Sequence, residues 1–379
     1  MKITRIGRVS AVALVGALAL SACGSDDNST GSGDSTGSTS AGGTGAGAAG
    51  GDAGCGTKAI TAEGSTAQDN AIQEAISGFE SVCADQKVTY NATGSGDGIK
   101  KFIAGQVSFA GSDSALKSTD GKTEAQDAAK ACGSPAWNIP MVTGPISIAY
   151  NLKGVDKLTL TPALLADIFQ GKITTWNDPQ IVAVNKGVTL PATPIKPFFR
   201  SDESGTTENF TKYLKGSAAA KWAAEPAKKW AGKGEGKAKT AGVASAVKGT
   251  EGGITYAEWG AAKDNKLGIA QIDNGAGAVE LTGESAGKAI AAAKVDGQGN
   301  DLKLKLNYAT KEAGTYPIVL VTYEIVCSKY KDAQTAKGVK AFLNHFASAD
   351  AQKKIEEIGY APLPDEIRSK VSTAINAIQ

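Results

Sequence analysis

Histidine is almost missing from this chain: His345 is the only one in 379 residues. No two of the five cysteines form a C-x-x-C pair, so zinc, which is held by clustered Cys and His, has no ligand set. The phosphate-cradling spacing G-x-x-x-x-G-K-[ST] is absent too, because Leu116 stands where the glycine leading "GKT" at Gly121 belongs, and Ala166 precedes "GKI" at Gly171 in the same way. An excess of charge is also lacking. Lysine and arginine total 40 against 38 acids, for a net +2, and Lys2, Arg5 and Arg8 precede Cys23 with no acid among them, so the remainder sits at −1. Nucleic acid, whose binding needs clustered cations, is therefore not an expected partner. The one basic run, "KKWAGKGEGKAK" from Lys228 to Lys239, is interrupted by glycines and Glu235 and reads as a solvated loop. His345 lies in the helical run "FLNHFASAD" and reads as a partly exposed helix residue rather than a base. No metal, cofactor or catalytic residue is expected, and the chain reads as a binder rather than an enzyme.

What is present begins with an address. "MKITRIGRVS" carries three positive charges and "AVALVGALAL" is an apolar run of about ten residues, too short to span a bilayer. Residues 1–22 therefore read as an export signal. It ends in "LSACG", Leu20 to Gly24, which resembles the bacterial lipobox; on that resemblance Cys23 is lipidated and anchors the chain to the extracytoplasmic face of the cell membrane. From Gly24 to Gly54 no apolar side chain exceeds alanine. Such a stretch cannot bury enough surface to offset its ordering entropy, so residues 23–56 read as a flexible Gly/Ser-rich tether. Four cysteines remain, Cys55, Cys83, Cys132 and Cys327. In an exported protein they are expected to form two disulfides, and three connectivities are open. The pairing preferred here is Cys55 with Cys83 and Cys132 with Cys327.

Beyond the tether, short strands alternate with helices. Ile72, Ile76 and Phe79 recur at helical spacing, as do Ile99, Phe102 and Ile103, while "KVTYNATG", "QVSFAGSD", "PISIAYN" and "YPIVLVTYEIVC" read as strands. In "TPALLADIFQGKI", Thr161 caps, Pro162 takes the first turn and Gly171 ends the helix. This alternation predicts an α/β fold. Three helices are preceded by small hydroxyl-bearing turns: "GST" at Gly64 to Thr66, "GSG" at Gly94 to Gly96, and "SGTT" at Ser204 to Thr207. Each would offer free N–H groups and a positive dipole end, and Arg200 stands four residues before the third. Together they would cradle a small tetrahedral anion. Simple capping is the alternative for each turn taken alone.

Seven segments carry a resemblance: "EGSTAQ", "GSGDGIKKFIAGQVSFAGSDSAL", "ADIFQGKITTWNDPQI", "RSDESGTTENFTKYL", "GGITYAEW", "YPIVLVTYEIV" and "GYAPLPDEI". In this order they resemble the phosphate-binding lipoproteins of the bacterial high-affinity phosphate ABC transporter. The resemblance implies a two-lobe, periplasmic-binding-protein-like (type II) fold with a ligand cleft between lobes, lobe 1 being 57–146 plus 318–379 and lobe 2 being 147–317. It implies inorganic phosphate as ligand, a permease with a separate ATPase subunit as partner, and a monomer. Residue by residue, phosphate would be held by Ser65, Thr66, the backbone of Ala67, Ser95, Asp113, Arg200, Ser204, Gly205 and Thr206, with Asp202 holding Arg200. Asp113 would select phosphate, because a carboxylate beside an anion is tolerated only if the anion brings a proton, which sulfate lacks near neutral pH. The alternative is that Asp113 caps the turn after it. Ala67 and Glu203 depart from the family pattern, which favours an aromatic and a glycine there. The same fold tuned to sulfate or molybdate, or a phosphoesterase, are the rival functions.

Overall fold

The computed structural model describes residues 54–118 and 123–379. The signal at 1–22, lipidation at Cys23 and the tether up to residue 53 lie outside the described residues.

The chain opens with β1 (Ile60–Gly64), α1 (Asp69–Val82), β2 (Val88–Ala92), α2 (Ser95–Ile103), β3 (Phe109–Ser112) and α3 (Glu124–Cys132). Next come the long β4 (Ala136–Asn151), α4 (Pro162–Phe169), β5 (Lys196–Arg200), α5 (Gly205–Ser217), β6 (Glu235–Lys237), α6 (Lys239–Lys248) and β7 (Gly253–Glu258). The buried β8 (Val319–Cys327) and α7 (Ala333–Phe346), α8 (Ala349–Glu357) and α9 (Asp365–Asn376) follow. The strands form one nine-stranded mixed sheet in the order β2-β1-β3-β8-β4-β7-β5-β6, with the short strand Gly268–Ile269 also paired to β4. β1 runs parallel to β2 and β3, and β5 parallel to β6 and β7. This is the mixed α/β architecture that the alternation of strands and helices predicts.

β4 joins the two ends of that sheet. Nine of its first ten residues pair with β8, from Ala136 opposite Cys327 to Pro145 opposite Val319 with Met141 skipped, and its last six pair with β7, from Ile146 opposite Glu258 to Asn151 opposite Gly253. The hydrophobic core changes at the same point. Ile139, Met141 and Val142 pack with α1 and α7 through Ile72, Phe79 and Phe342, whereas Ile146, Ile148 and Tyr150 pack with Leu165, Phe169 and Phe210 of α4 and α5.

Local signals in the sequence account for the individual elements. Ile72, Ile76 and Phe79 of α1 are all buried, each worth about 1.5–3 kcal/mol when removed from water. Thr161 accepts from Leu164 N at 3.3 Å, Pro162 opens α4, and Gly171 follows it at φ +71°. His345 lies in the last turn of α7 with its ring 5.7 Å from that of Phe79. Burial and Lys354 hold its pKa below the ordinary value. One expectation holds only in part: Lys229, Lys233, Glu235 and Lys239 are exposed, but the Lys228–Lys239 run is not wholly a solvated loop. Trp230 stacks on Phe199 and Phe210, Lys228 is buried against Glu124 and Glu208, and Glu235–Lys237 extends the sheet as β6. Trp230 anchors the segment, and the charge of Lys228 is compensated by acids far away in sequence.

Two disulfides close the described chain. Cys55 joins Cys83 at the end of α1, and Cys132 at the end of α3 joins Cys327 at the end of β8, 195 residues apart. Closing so long a loop restricts the unfolded ensemble. Replacing both Cys132 and Cys327 by alanine is expected to lower stability by about 2–5 kcal/mol in urea or guanidinium unfolding. An unchanged midpoint would show that the crosslink constrains nothing that unfolding releases.

Candidate functional site

β1, β2 and β3 end side by side, and the chain turns at those ends. β1 ends at Gly64, with φ +147° and a position where a Cβ would lie 2.0 Å from Gly111 O. Only glycine lets the backbone pass so close to β3. Ser65 and Thr66 follow immediately. At the end of β2, Gly94 at φ +105° starts α2, and Ser95 becomes its first residue. Asp113 follows the last residue of β3. On the other half of the sheet, β5 ends in Arg200, and Ser204, Gly205 and Thr206 begin α5.

These starts differ in what their hydroxyls do. Ser204 is a cap, its Oγ accepting from Thr207 N at 3.2 Å. Neither Ser65 nor Ser95 caps a helix. Both hydroxyls donate to Asp113, Ser65 to Oδ1 and Ser95 to Oδ2 at 3.1 Å, and Thr322 of β8 donates to Oδ1 at 2.7 Å. Asp113 N donates in turn to Ser95 Oγ at 3.1 Å, and Asn209 of α5 binds Asp113 O at 2.6 Å. Asp113 is 3% exposed and caps no helix. Burial pushes its carboxyl up to about 6, against the bonds from Ser65 and Thr322 that favour the charged form.

Gly205 brings the two halves together. A Cβ there would lie 2.5 Å from Asp113 Cβ and 2.6 Å from Ser95 Oγ, so the first turn of α5 rests directly on the Asp113 cluster. Arg200 is 2% exposed and held by Asp202, with Nε donating to Oδ1 at 2.8 Å and Nη2 to Oδ2, while Nη1 reaches Thr240 Oγ1 at 3.3 Å. An unpaired guanidinium buried so deeply would cost several kcal/mol. Burial works against the Arg200 charge, but the Asp202 bonds hold its pKa above the ordinary value; burial raises Asp202 and Arg200 more than reverses it. Thr66 Oγ1 meets Thr240 Oγ1 at 2.8 Å, and Thr206 Oγ1 donates to Glu258. Ala67 N–H is engaged by Ser65 Oγ at 3.0 Å.

Glu203 has a physical role here. It pairs with Lys100 of α2 at 2.7 Å and Lys229 at 3.2 Å, and its carbonyl accepts from Gly96 N at 3.0 Å. The acid thus ties the turn before α5 to the start of α2. Sequence reasoning missed Thr240, Glu258, Asn209 and Thr322, which lie outside every recognisable turn and reach the cluster only through the fold. The serine-hydrolase spacing does occur at Gly283 to Gly287, but the Ser285 hydroxyl is spent in the capping box with Thr282. Among the described residues no group of three or more His, Cys, Asp or Glu is arranged to hold a metal, and no helix is long and apolar enough to cross a membrane.

The raised carboxyl makes stability depend on pH. A folded-state pKa near 6 against an ordinary 3.8 means that its contribution is full below about pH 4 and is lost as pH rises to about 6, a change of about 3 kcal/mol. Unfolding of ligand-free Asp113→Asn should lack this fall, which parallel denaturation curves from pH 4 to 7 would reveal. Matching pH profiles would show that Asp113 titrates normally.

Comparison with known proteins gives the family. The PBP superfamily domain matches residues 31–350. Phosphate-binding protein PstS 3 of Mycobacterium tuberculosis (strain ATCC 25618 / H37Rv) is 47% identical over 383 residues, covering 100% of both chains. Phosphate-binding protein PstS of Xylella fastidiosa is 34% identical, over 75% of this chain and 76% of its own. Among solved structures, the phosphate-bound, high-affinity periplasmic phosphate-binding protein PfluDING superposes with a TM-score of 0.68 at 22% identity, over 83% of this chain and 93% of that one. A putative phosphate ABC transporter substrate-binding protein from Clostridium perfringens, also with bound phosphate, gives 0.59 at 18% identity, over 81% and 100%. At these identities the two structures are alike in fold.

Proposed function

Since the chain belongs to the PBP superfamily and matches phosphate-binding protein PstS 3 along its whole length, we propose that it captures inorganic phosphate outside the cytoplasm and delivers it to an ABC import permease. The observation that carries this reading is Asp113: a buried carboxylate, ringed by hydroxyls, with the N-terminus of α5 resting against it. In the reading, the anion lies between the starts of α2 and α5, where unpaired N–H groups and helix dipoles favour negative charge. Ser65, Thr66, Ala67 and Ser95 serve it from one side, and Ser204, Gly205 and Thr206 from the other. Arg200 supplies charge-assisted bonds, oriented by Asp202. The hydroxyls that hold Asp113 can rotate to share their bonds with the anion, and Asp113 accepts a hydrogen bond from the proton the anion carries.

The switch of core along β4 supports a two-lobe division into 57–146 plus 318–379 and 147–317, with β4 and β8 as the crossing strands. Closure would then follow from tighter binding by the closed form. The lipid anchor at Cys23 and the 23–56 tether belong to the same reading, in which a monomer swings near the membrane and docks on a permease whose ATPase is a separate subunit. The named relatives are binding proteins, and catalysis has no part in the reading.

Isothermal calorimetry on the chain from Cys55 onward should give tight phosphate binding and little response to sulfate or molybdate. A site built around one required hydrogen bond can reject an analogue lacking it by about 10⁴–10⁵-fold. Asp113→Asn should weaken phosphate binding or relax the discrimination. Sulfate binding as strong as phosphate would assign the same fold to another oxyanion.

A further inference from the structure

Arg200 is held on two edges, and only one of its holders lies in its own turn. Asp202 takes Nε and one hydrogen of Nη2, and Thr240 Oγ1 takes one hydrogen of Nη1 at 3.3 Å. One N–H is then left on each terminal nitrogen, a fork suited to an oxyanion. Thr240 stands at the start of α6, which packs on β5 and β7. The turn that aims it is constrained as well. Lys239, the first residue of α6, has φ +64°, a left-handed backbone that residues other than glycine seldom adopt, and its N–H is donated to Asp202 Oδ1 at 2.9 Å. One carboxylate thus fixes both the guanidinium and the turn that carries its second holder.

The other contact of Thr240 reaches across the sheet. Its Oγ1 lies 2.8 Å from Thr66 Oγ1, 174 residues away in the turn after β1. That distance leaves the donor undecided, but the neighbours decide it. A guanidinium has donors only, so Thr240 accepts from Arg200. Its own proton then has one acceptor within reach among the described residues, Thr66 Oγ1. Thr66 is buried, and its hydroxyl has no other partner among the described residues, so its proton is left for the ligand. We propose that Thr240 is a positioning residue for anion capture: it relays a hydrogen bond from Arg200 to Thr66, which makes the Thr66 hydroxyl a committed donor and steadies the free N–H groups of Arg200. This rests on the phosphate reading above and adds to it a residue that itself touches no ligand. Chains of this kind strengthen each member, since every donor in the row is polarised by the one before it.

Calorimetry with inorganic phosphate on the chain from Cys55 onward tests the relay. Thr240→Val keeps the shape and removes the hydroxyl; its phosphate affinity is expected to fall about tenfold, while its ligand-free unfolding midpoint in urea stays near that of wild type. Thr240→Ser, which restores the hydroxyl, is expected to bind within about twofold of wild type. In a Thr66→Val background the further change Thr240→Val is expected to cost about threefold rather than about tenfold, because a relay already broken is not broken again. Wild-type affinity in Thr240→Val, failure of Thr240→Ser to restore binding, or equal cost in the two backgrounds would each overturn the proposal and leave phosphate capture intact. Should Thr240→Val not fold, Thr240→Ala read against Thr240→Ser makes the same comparison. Absence of any phosphate isotherm for wild type would instead sink the phosphate reading, and this proposal with it.

Discussion

The carboxylate of Asp113 is the point on which the rest of the site depends. It is buried, and it survives there because hydroxyls from three remote parts of the chain, Ser65, Ser95 and Thr322, donate to it. Each donor sits at a strand end or on the central strand β8, so satisfying one acid aligns the exits of β1, β2 and β3 with β8. A buried carboxylate left without these bonds would neutralise itself or force the strands apart. The partial rise of its pKa to about 6 records that balance: burial outweighs, but does not erase, the three hydrogen bonds.

Around it, charge is handled in separate compartments. Arg200 answers Asp202, Glu208 is surrounded by Lys117, Lys212 and Lys228, and Glu203 takes Lys100 and Lys229. Burial pushes Glu324, two residues beyond Thr322 on β8, up to about 8, which disfavours a second charge near Asp113. The result is a cluster in which most charges are answered by a neighbour of opposite sign.

The scaffold that makes this possible is a pair of long central strands. β4 belongs to one core up to Val142 and to another from Ile146, with Thr143, Gly144 and Pro145 between. Beside it, β8 shifts register between Thr322 and Tyr323, next to the hydroxyl that reaches Asp113. Irregularity in a central strand is costly and tends to mark functional positions. Here it lies beside the Asp113 cluster, where the two cores also approach one another.

Much of this was legible in the chain alone. Helical spacing placed α1 and α2, Thr161 and Pro162 placed the start of α4, and the glycine and hydroxyl turns marked Ser65, Ser95 and Ser204 as a related set, because these are local preferences of backbone and side chain. What could not be read was the destination of each group. Ser65 and Ser95 read as donors to an anion, and their hydroxyls also bind Asp113; Lys228 looked solvated, yet it is buried beside Glu208; Glu203 looked anomalous, yet it binds Lys100 across to α2. Thr240, Thr322 and Glu258 carried no signal, since a lone hydroxyl or acid acquires meaning only from its neighbours. The sequence by itself thus determined the elements and their turn chemistry, which depend on residues a few positions apart. Only the tertiary structure decided which donor meets which acceptor, because those partners lie tens to hundreds of residues away and burial alone makes their pairing obligatory.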